Sequence, residues 1–142
     1  MPTLSDSDQE KIKHSIEWAE KNTSGEIRVC IEKKCKIEVL DRAVACFRDL
    51  EMHKTRLNNG VLIYVATDDK KFAIIGDRGI NALVSDDFWD STKNLMTTHF
   101  KNNHLAEGIS VGIIEAGKQL KKYFPYHSGD GNELPDDIVF LP

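Results

Sequence analysis

Two runs of extended pattern separated by one helical stripe constrain the fold of this chain more than any other feature. Residues 26–32 read E-I-R-V-C-I-E, a strict alternation that sets Ile27, Val29 and Ile31 on one face and Glu26, Arg28 and Cys30 on the other. From Leu40 the apolar residues fall at Leu40, Ala43, Val44, Phe47 and Leu50, the spacing of a helix laid on a sheet, and the pattern lapses over residues 53–58. Residues 60–67 are then a short run of Val, Leu, Ile and Tyr, too short for a typical helix and rich in β-formers. Two strands joined through a helix of this length are expected to be parallel, with a right-handed crossover. A third run, residues 72–75, returns antiparallel across Asp68, Asp69, Lys70 and Lys71.

The flanks supply the remaining layers. Ser5 or Ser7 can cap a first helix carrying Ile12, Ile16 and Ala19, which runs out near residues 22–25. After the hairpin, Asp86 or Asp87 can cap a helix with Phe88, Leu95, Met96, His99 and Phe100 inward, and a last helix carries Leu105, Ile109, Gly112, Ile113, Ala116, Leu120 and Tyr123. Residues 137–141 can add a short edge strand. The sequence therefore predicts an α/β protein, a three-layer α/β/α sandwich with a mixed central sheet of about four strands, in one domain over residues 1–142.

Composition narrows the partners. Twenty-three acids against nineteen Lys and Arg give a net charge of −4, which argues against a protein that neutralises nucleic-acid phosphates. The imbalance is local: residues 123–142 hold Asp130, Glu133, Asp136 and Asp137 and no Lys or Arg, so the rest of the chain is neutral. Three cysteines, Cys30, Cys35 and Cys46, form no Cys-x-x-Cys pair and no zinc-finger spacing, which suits a reducing compartment. No window approaches the ~20 apolar residues of a membrane span and no signal peptide opens the chain, so a cytoplasmic location is expected.

The candidate site follows from the topology. A hairpin centred on Asp69 and Lys70 places Asp77 opposite Leu62, with Asn59 and Gly60 just beyond, while the parallel first strand begins at the same border with Glu26. Segments far apart in sequence thus deliver Thr23, Glu26, Asn58, Asn59 and Asp77 to one rim, where glycines 60, 76 and 79 let the backbone turn tightly. Carboxylates and amides together make an oxygen-rich set suited to a hard cation, Ca²⁺ or Mg²⁺, and Asp86 and Asp87 can fold back to it. Each residue alone is ordinary turn or cap chemistry; the metal reading rests on their convergence. A second oxygen-rich stretch, HSGDGNELPDD, offers Asp130, Asn132, Glu133 and Asp136 in a glycine-containing loop, without the spacing of an EF-hand. Uncompensated carboxylates repel one another unless a cation sits among them.

The same residues carry a family resemblance. T-S-G-E-I-R-V at 23–29, R-A-x-x-x-F-x-x-L at 42–50, N-G-V-L-I-Y-V-A at 59–66 and F-A-I-I-G-D-R-G-I at 72–80 resemble the TPM domain, the thylakoid-lumen-phosphatase-type family, as do F-W-D at 88–90 and E-G-I at 107–109. The resemblance implies an α/β/α sandwich, here in a stand-alone version of bacterial type, and associates the fold with cation binding. Glu26, Asn59 and Asp77 match the family's polar rim. Family members include a plant protein described as an acid phosphatase and an animal accessory of an ion channel.

The expected function is divalent-cation binding, with one or two Ca²⁺ or Mg²⁺ ions pinning the acidic C-terminal loop to the loop after the third strand and giving a metal-responsive modulator. A metal-assisted phosphatase of modest activity and a protein-partner module are the alternatives. The enzyme reading rests on resemblance alone, because the chain has no P-loop, no Cys-x5-Arg, no Asp-x-Asp-x-Thr/Val run, no nucleophile elbow and no His-Glu-x-x-His.

Overall fold

The computed structural model describes residues 4–85, 87–126 and 138–142. In chain order the elements are α1 (Asp6–Glu20), β1 (Glu26–Glu32), α2 (Val39–Asp49), β2 (Gly60–Ala66), β3 (Lys71–Gly76), α3 (Arg78–Asn81), α4 (Asp90–Lys101), α5 (Leu105–Lys121) and β4 (Val139–Phe140). The sheet order is β3-β2-β1-β4. β1 pairs parallel with both β2 and β4, and β2 pairs antiparallel with β3. This is the mixed α/β sheet that the two strands and their crossover helix predict.

Alternation along the central strands divides the core into two layers. Ile27, Val29 and Ile31 of β1 with Val61, Ile63 and Val65 of β2 pack under Ile12 and Ile16 of α1, Met96 of α4 and Ile109 and Ile113 of α5. The α4 and α5 helices approach closely because a Cβ on Gly108 or Gly112 would meet Phe100 at 2.4 Å or Met96 at 2.5 Å. On the opposite face Cys30, Leu62 and Tyr64 pack with Ala43 and Cys46 of α2. Both central strands are buried along their whole length, so the polar face of β1 is interior too.

Local chemistry explains the boundaries. Ser5 caps α1 in a capping box, its hydroxyl accepting from the Asp8 amide while the Asp8 carboxylate accepts from the Ser5 amide. The α2 stripe holds in part: Ala43 is buried and Phe47 and Leu50 pack against the core as expected, whereas Leu40 and Val44 are 49% and 45% exposed and Cys46 joins Ala43 toward the sheet. Leu95 of α4 also points outward, and Met96 with Thr92 takes its inner positions. Asp87 does not cap α4. Its N-cap is Trp89, which makes no side-chain cap bond, and Asp86 lies outside the described residues. Among the described residues no helix is long and apolar enough to cross a membrane.

Candidate functional site

The rim is assembled by strand register. Glu26 pairs with Gly60, Val61 with Gly76, and the Asp77 amide donates to the Gly60 carbonyl at 2.9 Å, so Asp77 stands opposite Gly60 rather than Leu62. The two-residue shift arises because Lys70 adopts φ 54° and closes a four-residue turn over residues 67–70, which pairs Ala66 with Lys71. The shift draws Asp77 closer to Glu26 and Asn59 than a hairpin centred on Asp69 and Lys70 would. Asn59 is tied to β1 through its carbonyl, which accepts from the Glu26 amide at 3.3 Å. Asn58 sits in the left-handed region at φ 51° and accepts from the Gly79 amide at 2.9 Å.

Space, rather than positive φ, is what glycine supplies here. A Cβ on Gly79 would lie 2.4 Å from the Leu57 carbonyl oxygen, and among the described residues no glycine has positive φ. The other flank is closed by the end of the last helix. The Thr23 hydroxyl donates to the Phe124 carbonyl and accepts from the Gly25 amide, and Thr23 bridges to Pro125.

Side chains at this border are polar and covered. Glu26 is 3% exposed and Asn59 1%. The Asn59 amide nitrogen reaches the Ser24 hydroxyl only at 3.5 Å, and its Oδ1 is buried with no donor among the described residues. Asp77 caps α3, Oδ1 accepting from the Arg78 amide at 2.7 Å, while Oδ2 is buried and likewise lacks a donor. A buried acceptor left without a partner costs about 1–3 kcal/mol. Two such oxygens on one rim are therefore either a standing destabilisation or half of a binding site.

Of the nine expected ligands, the structure brings Glu26, Asn59 and Asp77 to the same sheet border. Asp87 is exposed in the turn before α4, where its carboxylate accepts from the Ser85 hydroxyl. Asp86, Asp130, Asn132, Glu133 and Asp136 lie outside the described residues. Among the described residues no group of three or more His, Cys, Asp and Glu side chains is placed to hold a metal ion.

A family model described as the TPM domain matches residues 2–119. The chain belongs to the TPM domain family. The TPM domain is also similar, at 49% identity and a TM-score of 0.93, to the BA42 protein of the psychrophilic bacterium Bizionia argentinensis solved by NMR, over 99% of this chain and 97% of that one. Two more distant NMR structures share the fold. The N-terminal domain of a P. gingivalis protein has a TM-score of 0.70 at 19% identity, covering 87% of this chain and 82% of that one. The N-terminal domain of cg2496 from Corynebacterium glutamicum has 0.66 at 13%, covering 99% and 81%. No curated protein matches the chain.

A second polar cluster of this TPM domain escaped the sequence analysis. At the far end of β1, Glu32 accepts from Arg42 Nε at 3.0 Å and Nη2 at 2.8 Å, and from the Tyr64 hydroxyl at 2.6 Å. The hydrogen bonds from Arg42 hold the Glu32 carboxyl below the usual carboxylate range. Burial, with the bond to Glu32 next, raises the Tyr64 phenol. Burial also pushes the Cys30 thiol up to about 12, so it is a packing group rather than a nucleophile. One signal was available in the sequence, since a tyrosine inside a buried strand needs a partner for its hydroxyl.

Proposed function

We propose that this TPM domain binds a divalent cation, Ca²⁺ or Mg²⁺, at the rim of Glu26, Asn59 and Asp77 and acts as a metal-responsive modulator. The observation that carries the reading is the pair of buried, donor-less oxygens, Asn59 Oδ1 and Asp77 Oδ2, held at one border by backbone hydrogen bonds. A hard cation satisfies oxygens that no N–H or O–H reaches, and its charge offsets the buried carboxylates. Asp86, Asp87, Asp130, Asn132, Glu133 and Asp136 complete the ligand set of this reading for one or two ions. The Thr23 hydroxyl and the Ser24 amide donate to the Phe124 carbonyl and Thr23 faces Pro125 in a β-bridge, so the chain is held beside the rim just before residues 127–137. Binding is then coupled to ordering of the loops that carry the ligands, which suits a response to cation level better than turnover.

Titration of the ¹⁵N-labelled protein with CaCl₂ and with MgCl₂ tests this. Saturable amide shifts are expected together at residues 58–60, 77–79 and 128–137, and Asp77→Asn weakens them at least tenfold. Shifts confined to one of these stretches, or binding untouched by Asp77→Asn, overturn the reading.

A further inference from the structure

At the opposite end of β2, roughly 20 Å from the rim at ~3.3 Å per strand residue, lies a cavity that the cation reading does not use. It measures about 370 Å³, within the ~300–1,000 Å³ range of small-molecule sites. Val65, Phe72, Phe100 and Leu105 form its apolar wall, and Lys70, Lys71 and Lys101 line it with no carboxylate among the lining residues. All three lysines are exposed, and among the described residues none is ion-paired.

The wall is pre-formed. Phe72 and Phe100 meet edge to face with centroids 5.2 Å apart, and Phe100 lies over Gly108, where any Cβ would strike its ring. Two of the four non-glycine residues with positive φ among the described residues, Lys70 and Asn103, stand at this cavity. Asparagine accepts that conformation readily at a helix end, but for lysine it costs about 1 kcal/mol.

An apolar hollow whose charged lining residues are all lysines fits one kind of ligand. We propose that this cavity binds a small amphipathic anion, a hydrocarbon body with a single carboxylate or phosphate head, the body lying against Phe72, Phe100 and Leu105 and the head held by Lys70, Lys71 and Lys101. Thr97 and Asn103, which also line it, offer hydrogen bonds to the head.

Octanoate and octyl phosphate are the probes, followed by ¹⁵N amide shifts and calorimetry. Saturable binding of either anion, with shifts centred on residues 70–72 and 100–105, is expected. Octan-1-ol should bind at least tenfold more weakly, and the Lys71→Glu, Lys101→Glu double variant should lose at least tenfold in affinity for the anions while keeping the wild-type spectrum elsewhere. Asp77→Asn should leave octanoate binding unchanged, which separates this proposal from the cation site. Absence of saturable binding, equal binding of the alcohol, or affinity unaffected by the double charge reversal overturns it. Co-sedimentation with phosphatidylglycerol vesicles that the double variant abolishes would also overturn it, by reassigning the lysines to a membrane surface.

Discussion

Two carboxylates stand at opposite ends of the same sheet, Glu32 and Asp77, and they are finished differently. Glu32 receives three hydrogen bonds from Arg42 and Tyr64, so its charge and both oxygens are answered within the protein. Asp77 has one oxygen engaged in capping α3 and the other buried without a donor, beside an asparagine in the same condition. A saturated buried carboxylate is a structural group, whereas an unsaturated one leaves an acceptor that water or a ligand can take. The contrast distinguishes a structural polar cluster from a candidate binding rim more clearly than the count of acids at either place.

The largest test of that contrast is Glu32→Ala, which strands Arg42 and Tyr64. It should cost about 3 kcal/mol, the lower end for breaking a buried pair because Arg42 is partly exposed, as read from urea unfolding. The same contrast governs acid stability. Because the folded Glu32 carboxyl titrates below its unfolded value near 4.5, its stabilisation is full above that value and is lost as pH falls through the folded one. Glu32→Gln should therefore flatten the loss of urea midpoint below about pH 5. The basic limb has the opposite sign. The Cys30 thiol, raised from 9.0 to about 12, favours the folded state below pH 9, and that contribution drains away as pH rises toward 12.

Gly79→Ala should be next, at about 2 kcal/mol, since its new Cβ must push the Leu57 and Asn58 carbonyls off the rim. Tyr64→Phe should cost about 1.5 kcal/mol, one hydrogen bond to a charged acceptor. Cation at ten times its dissociation constant should raise the unfolding free energy by about 1.4 kcal/mol in wild type and by no more than about 0.4 kcal/mol in Asp77→Asn. Without cation, Asp77→Asn should change stability by less than about 0.5 kcal/mol, because asparagine caps a helix as well as aspartate does. A Ca²⁺-free loss near that of Glu32→Ala would erase the distinction between the two ends.

Much of the architecture could be read from short-range pattern. The alternation over residues 26–32, the apolar run after Gly60 and the last helical stripe all correspond to elements close to where they were expected. What escaped were relations between elements. On α2 the spacing places Ala43, Phe47 and Leu50 on the inner side as found, but Leu40 and Val44, core residues by the same spacing, stay exposed, and Cys46 takes an inner position instead. The register slipped by two residues because one lysine in the left-handed region lengthens the turn. The Glu32, Arg42 and Tyr64 cluster joins residues 10 and 32 positions apart and has no local signature. Convergence of Glu26, Asn59 and Asp77 could be inferred because it needed only strand directions.

By itself, the sequence determined the sheet, its parallel crossover, the family and the set of oxygen-bearing residues at strand ends, since periodicity and turn chemistry are properties of neighbours along the chain. Only the tertiary structure decided which of those oxygens are answered and which are left open, and that the far end of the sheet holds an apolar hollow bordered by lysines. Hydrogen-bond satisfaction and cavity shape depend on distances of a few ångströms between segments remote in sequence, and only packing sets those distances.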